Sequence, residues 1–440
     1  MSSKPGASAT TEWWKSVGRR IVLTTWGSFG DLHPFLAMAL ELKRRAHRPL
    51  LATCELYRSK VEGEGIEFAP LRPDVGNILD HPDLIRRLFH PRQGSEFVIR
   101  ELMLANLREQ WADLRRCADD AELVVSHTIT FATPLFAEWK RVPWVSTVLQ
   151  PAVFFSTYDP PRLRQMEFLR RAPHWLRRVG FAAGRASTRH WFRDYHRLRA
   201  ELGLPGTSAN PLFKGQYSPF GTLALFSPLL ASPQPDWPSR VAITGFPFFD
   251  RLDASEQALS PIVEGFLAAG EPPLVFTSGS SSVIESDHFF EVSLEAARAL
   301  SRRAVLLAGP GFERRLTFKH GIDCVVSAYE PHSKLFPRAA LIVHQGGIGT
   351  TGQALRSGAP QLVAAVSHDQ PDNGERVRRL GAGTWMRREK YNLKSARVAI
   401  DTLLRDSSIT ASAKRISEIV REEVGAEIAC NVLESVWRPR

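Results

Sequence analysis

The apolar run Leu341-Ile342-Val343 leads directly into His344-Gln345-Gly346-Gly347-Ile348-Gly349-Thr350-Thr351, and no other junction restricts the chain as much. A run of strand length, a glycine-rich turn and a helix start make half of a strand–helix–strand unit, the building block of parallel α/β sheets. The junction also has a chemical consequence. Glycines admit close approach of a ligand, and unpaired N–H groups at the positive end of a helix stabilise negative charge. Residues 346–351 are therefore predicted to hold an anion. A second turn, Ser367-His368-Asp369-Gln370-Pro371-Asp372-Asn373, follows the next apolar run.

The alternation of strand-length apolar runs with helix-period segments occurs twice. In the first half, residues 20–25, 49–54, 66–71, 123–126 and 144–149 read as strands, and residues 34–45 as a helix with Pro34 in its first turn. In the second half the strands are 273–277, 304–308, 323–327, 341–343 and 361–366, with helices at 286–303 and 372–380. A chain of 440 residues is too long for one core. The predicted layout is a flexible segment 1–18, a Rossmann-like domain 19–226, a linker 227–250 marked by Ser227-Pro228 to Trp237-Pro238, a second Rossmann-like domain 251–410, and a C-terminal helix 411–440. Two such halves place their strand ends, where open α/β sheets bind ligands, across one cleft.

Charge and cysteine usage exclude several classes. The net charge is +11, but the excess concentrates between Arg162 and Arg199, where Glu167 and Asp194 are the only acids among many arginines and aromatics. No nucleic-acid module is recognisable, and the segment suits anionic lipid headgroups at a membrane surface or, more plainly, a solvated helix pair. The four cysteines lack metal-ligand spacing, so neither disulfides nor zinc are expected. Residues 1–20 contain no apolar run of signal-peptide length, and no stretch is long enough to span a bilayer, so a cytoplasmic location is expected, peripheral at the inner membrane face if the arginines bind lipid. Gly27-Ser28-Phe29-Gly30 departs from the Gly-x-Gly-x-x-Gly spacing of a nicotinamide dehydrogenase.

Taken in order, Gly27-Ser28-Phe29-Gly30-Asp31-Leu32-His33-Pro34, Gly245-Phe246-Pro247, Thr277-Ser278-Gly279-Ser280, the His344 motif and Asp369-Gln370 resemble the inverting family 1 nucleotide-sugar glycosyltransferases, in particular the bacterial branch acting on lipids, sterols and polyketides. The resemblance implies a GT-B fold and transfer of a hexose from a UDP- or dTDP-sugar. It also implies roles. Asp31 takes the position of the general base, with His33 as rival; in relatives that use histidine there, an aspartate about a hundred residues on orients it, whereas here the matching strand end reads Ser126-His127. His344, Gly346, Gly347, Gly349 and Thr350, with Ser280, match the diphosphate site; Asp369 and Gln370 match the sugar pair; Tyr329 and Pro331 match the nucleobase slot.

Each role has a plainer alternative. Asp31 and Asp369 are good helix caps, and His344 suits a strand end satisfied by backbone. No Asp-x-Asp signature occurs, so no metal and no other cofactor is expected. Phe131, Phe154, Phe155, Tyr158 and Trp175 are candidate walls of an apolar acceptor pocket. In this fold the last helix often crosses back to the first domain. A sugar-nucleotide epimerase or a catalytically silent auxiliary protein are the competing functional classes.

Overall fold

The computed structural model describes residues 18–76, 81–250, 258–279, 287–309 and 321–437. The first sheet contains β1 (Arg20–Thr24), β2 (Arg48–Thr53), β3 (Glu67–Pro70), β4 (Leu123–Ser126), β5 (Trp144–Val148), β6 (Thr222–Ala224) and β7 (Val241–Ile243), in the order β3-β2-β1-β4-β5-β6-β7. The second contains β8 (Leu274–Thr277), β9 (Ala304–Leu307), β10 (Cys324–Ser327), β11 (Leu341–His344), β12 (Gln361–Ala365) and β13 (Gly383–Arg387), in the order β10-β9-β8-β11-β12-β13. Every pair is parallel, with Leu23 opposite Leu51 and Val125, and Val343 opposite Phe276 and Leu362. Helices cover both faces of such a sheet, so its central strands carry continuous apolar runs: Ile21, Val22, Leu23, Leu341, Ile342 and Val343 are all fully buried. Strand order reverses between β1 and β4 and between β8 and β11. The loops leaving those four strands therefore open into the crevice.

Three strands escape the sequence pattern. β6 and β7 are three residues each, too short for periodicity to register, and β13 is a half-exposed edge reading Gly-Thr-Trp-Met-Arg. Because β7 pairs with β6, Thr222 lying opposite Val241, the proline-rich residues 227–238 form a loop inside the first domain. The predicted linker at 227–250 thus begins too early: the change of domain comes after Ile243. Prolines there end a strand, not a domain.

The first helix also starts earlier than predicted, running Phe29–Arg44 with Pro34 inside it. Ser28 caps it, its Oγ accepting from Gly30 N–H at 3.2 Å, while Asp31 accepts from Ser28 N–H at 2.7 Å to close a capping box. Asp31 is thus the third residue of the helix, not its cap.

Two contacts stand out among those that hold the domains face to face. After the Ser407–Arg421 helix, which packs on Ile348–Ser357 and donates Ser417 Oγ to Arg356 O at 3.0 Å, the Gly425–Ser435 helix crosses back onto Phe29–Arg44. There Glu434 meets Arg45 and His47, each at 3.1 Å. The crossing is made by two helices, divided at 422–424, where the sequence suggested one. The second contact is a latch centred on Arg376, which is 3% exposed and binds Asp159 of the first domain and Asp372 of the second, both at 2.7 Å. A buried guanidinium must be paired, and these two carboxylates together with Leu230 O, at 2.8 Å, pair it. The latch seats the Gln370–Arg379 helix, whose start carries the predicted sugar pair.

Candidate active site

The loops leaving β1, β4, β8, β11 and β12 line a cleft of about 1890 Å³ to which both domains contribute. On the first-domain side the capping box aims Asp31 inward. Its Oδ2 is fixed by Ser28 N–H at 2.7 Å and Ser28 Oγ at 3.1 Å, and its Oδ1 lies 3.4 Å from His127 Nε2. His127 directly follows β4, donates its backbone N–H to Thr24 O at 3.0 Å and is buried, with Nδ1 bearing no hydrogen-bond partner among the described residues. By sequence, Ser126-His127 in place of an aspartate breaks the usual histidine–aspartate pair. In the structure the pair is present with its members exchanged: carboxylate after β1, imidazole after β4. His33 lines the same rim, its ring between Phe29 and Phe249 with centroids 5.2 and 5.1 Å away.

On the second-domain side, Gly347, Gly349 and Thr350 line the cleft, as predicted. His344 and Gly346 sit behind them. His344 is fully buried; its Nδ1 accepts from Gly346 N–H at 3.1 Å, and its Nε2–H donates to Gln361 Oε1 at 3.0 Å. Burial lowers its pKa to about 4, so the ring stays neutral. With both nitrogens engaged inside the protein, the ring props the turn from behind and does not itself line the cleft. Gly346 serves the same frame, since at φ +92° a Cβ would stand 2.5 Å from Val363 Cγ1.

Among the described residues no side chain caps the Ile348–Ser357 helix, so its first N–H groups face the cleft uncapped by them. The Phe29–Arg44 helix begins directly opposite, a Cβ on Gly349 falling 3.5 Å from Gly30 Cα. Two helix N-termini therefore meet at one place, where their dipoles favour an anion. Gln345, which no local motif singles out, is 5% exposed, lines the cleft and has Oε1 without a partner among the described residues. Its Nε2 is packed against Gly279, where a Cβ would approach to 2.0 Å. Ser280, the donor predicted from that facing strand end, lies outside the described residues.

The turn after β12 supplies Asp369 and Gln370, both lining the cleft. Asp369 begins the Gln370–Arg379 helix without any capping bond from its side chain, so capping does not account for it. Its Oδ2 accepts from Asn373 Nδ2 at 2.6 Å, and burial, reinforced by the charge of Asp31, raises its pKa to about 7. Gln370 Oε1 accepts from Val366 N–H at 2.8 Å and Ser367 N–H at 3.2 Å, which closes the turn. His368 takes φ +56° and bonds Ser95 of the first domain at 2.9 Å. A strained residue immediately before Asp369 and Gln370 marks an over-determined turn. At the far end Tyr329 and Pro331 line the cleft, anchored by buried Glu330, which accepts from Ser260 N–H and Ser327 Oγ, each at 2.9 Å.

The predicted acceptor aromatics divide. Phe155 lines the cleft at φ +48°, packed on Phe213 at 4.8 Å. Phe131 is buried against Phe192, and Phe154 is stacked on Trp237 at 3.9 Å; both are core, because each found an aromatic partner inside the domain. Tyr158 lies against His174 and Trp175 is two-thirds exposed, both outside the cleft. The apolar wall comes instead from Trp26, Ile99, Ile129, Leu163, Met166 and Trp191. Among the described residues, no group of three or more His, Cys, Asp or Glu side chains is placed to hold a metal ion.

Residues 21–129 match the glycosyltransferase family 28 N-terminal domain, and residues 319–434 match the erythromycin biosynthesis protein CIII-like C-terminal domain. The chain is 30% identical over 424 residues to O-mycaminosyltylonolide 6-deoxyallosyltransferase of Streptomyces fradiae, covering 94% of this chain and 97% of that one. It is 26% identical over 422 residues to a sterol 3-beta-glucosyltransferase of Arabidopsis thaliana, covering 92% of this chain and 64% of the relative. Its fold is similar to the glycosyltransferase of kitacinnamycin, with TM-score 0.71, 19% identity and 96% and 99% of the two chains covered. A calicheamicin glycosyltransferase gives TM-score 0.70 at 16% identity, with 96% and 98% covered. Two facing Rossmann-like domains, an anion-ready turn between them and a relative this similar along nearly its whole length place the chain among the family 1 glycosyltransferases of GT-B fold.

Proposed function

We propose that the protein moves a hexose from a UDP- or dTDP-sugar to a hydroxyl of a large apolar acceptor, with inversion at the anomeric carbon. One observation carries this reading: Asp31 and the uncapped turn at 347–350 face each other in a single cleft, at the helix starts where Gly30 and Gly349 nearly touch. Asp31 takes the acceptor's hydroxyl proton as that oxygen bonds to the anomeric carbon. The bond from that carbon to the diphosphate breaks, and its electron pair stays on the diphosphate oxygen. Preorganised N–H groups of the Ile348–Ser357 helix and the Thr350 hydroxyl stabilise the developing charge. His127 orients the base; Asp369, with a pKa near neutrality, and Gln370 receive the sugar hydroxyls. Tyr329 and Pro331 form the slot for the base. With two helix N-termini opposing the diphosphate, the reaction needs no divalent metal.

The apolar wall supports an acceptor of the kind named for the relatives, one of which acts on a tylonolide and another on sterols. A spinosyn rhamnosyltransferase of the same fold has been solved with thymidine diphosphate and with spinosyn aglycone. The test is a panel of UDP- and dTDP-hexoses against sterol and macrolide alcohols, read by nucleotide release and product mass, with and without a strong chelator. Turnover of one donor class, unaffected by chelator, is expected. Donor-independent silence across the panel would sink the reading, and activity lost to chelator and restored by magnesium would sink its metal-free part.

A further inference from the structure

A helix on the surface of a globular domain normally buries its apolar stripe and shows polar residues to water. The His174–Ser187 helix does otherwise. Its inner side buries Phe181 and packs Gly180 against Leu169, where a Cβ would come within 2.6 Å of Leu169 Cδ1. Its outer side is apolar as well: Trp175 is 66% exposed and Val179 56%, and Ala182 and Ala186 continue the stripe at the next turns. Phe168, 74% exposed, joins them from the preceding Arg164–Arg171 turn. The helix contains no acidic residue. Exposed Arg171 and Arg178 flank the stripe and form no ion pair among the described residues, unlike Arg162, Arg164 and Arg170, which are paired with glutamates.

We infer that this face seats the protein on an anionic lipid bilayer, with Phe168, Trp175 and Val179 entering the interface and Arg171 and Arg178 meeting headgroup phosphates. The combination of an apolar stripe, arginine flanks and no acid is what interfacial insertion requires. A second copy of this chain fits poorly, since a self-complementary contact would set the same arginines against each other. The geometry adds a direction. Leu163, Arg164 and Met166, immediately before the exposed Phe168, line the cleft, so a seated protein holds the cleft's apolar wall beside the lipid surface. Seating does not depend on the acceptor reading, because it is measured without turnover.

The test is co-sedimentation of the full chain with vesicles of phosphatidylcholine alone or mixed with phosphatidylglycerol. Binding to the mixed vesicles only, weakened by salt, is expected. Trp175→Ser with Val179→Ser, and separately Arg171→Glu with Arg178→Glu, each lower the partition constant about tenfold while thermal melting stays unchanged. Three results would overturn the inference: no binding to anionic vesicles, equal binding to both compositions, or variants that bind like the parent. A homodimer by light scattering that dissolves in the Trp175→Ser/Val179→Ser chain would also overturn it and assign the face to self-association.

Discussion

On the second-domain side of the cleft the anion-ready turn is made within one strand–turn–helix run, where residues 344–351 supply backbone N–H groups at a helix start and His344 props the turn from beneath. The first-domain wall gathers side chains from distant loops, with Trp26 after β1, Ile99 in a π-helical turn, Ile129 after β4, Phe155 beyond β5 and Trp191 after the exposed helix. A diphosphate is common to many donors, so backbone geometry suffices to hold it and only glycines meet its demands. An acceptor is particular, and side chains on loops can change without disturbing the sheet. Asp31 belongs to the first wall by position but to the second by construction, since a local capping box holds it.

Variants that separate the walls test this contrast. Asp31→Asn is expected to lower kcat by about a thousandfold while donor affinity stays within about twofold; near-normal turnover would move the base to His33. Gly346→Ala forces a Cβ toward Val363 at φ +92°, and donor affinity should fall about tenfold with acceptor KM unchanged, as read by isothermal titration. Phe155→Ala should do the reverse, raising acceptor KM about tenfold with donor-only hydrolysis intact. If Phe155→Ala weakens the donor instead, the walls are not separable. His127→Ala should lower kcat by about tenfold and His127→Gln should recover part of it, since the amide can still donate toward Asp31. An equal loss in both would leave His127 a packing residue.

The smallest effect concerns pH. Because burial raises the Asp369 carboxyl to about 7, the folded chain retains a proton that the unfolded chain releases near 4. Stability therefore falls as pH rises between about 4 and 7 and is level above that window. Asp369→Asn should remove that slope, a difference of about 5 °C in Tm across the range. Parallel Tm profiles for the two proteins would contradict the raised carboxyl.

The same contrast explains what could be read from the sequence. Ten strands were legible because parallel sheets demand unbroken apolar runs, whereas β6 and β7 are too short and β13 too exposed to leave that trace. That Gly347, Gly349, Thr350, Asp369 and Gln370 would come together at one cleft was legible because each lies at a strand end within a local motif. Phe131 and Phe154 were misplaced because an aromatic in a core and one in a pocket have the same composition signal; only their partners Phe192 and Trp237, distant in sequence, decide between them. His127 was in view, but its pairing with Asp31 depends on β1 lying beside β4. His344 looked like a ligand because nothing local shows that Gln361, on the neighbouring strand, takes its second nitrogen.

A crystal structure with bound UDP or dTDP tests the division of labour most directly. The account predicts diphosphate oxygens accepting from the N–H groups of residues 348–350 and Thr350 Oγ, the base beside Tyr329, His344 still bonded to Gly346 and Gln361, and Asp31 facing the vacant sugar position. A diphosphate held chiefly by first-domain side chains, or His344 rotated out to bind it, would contradict the account.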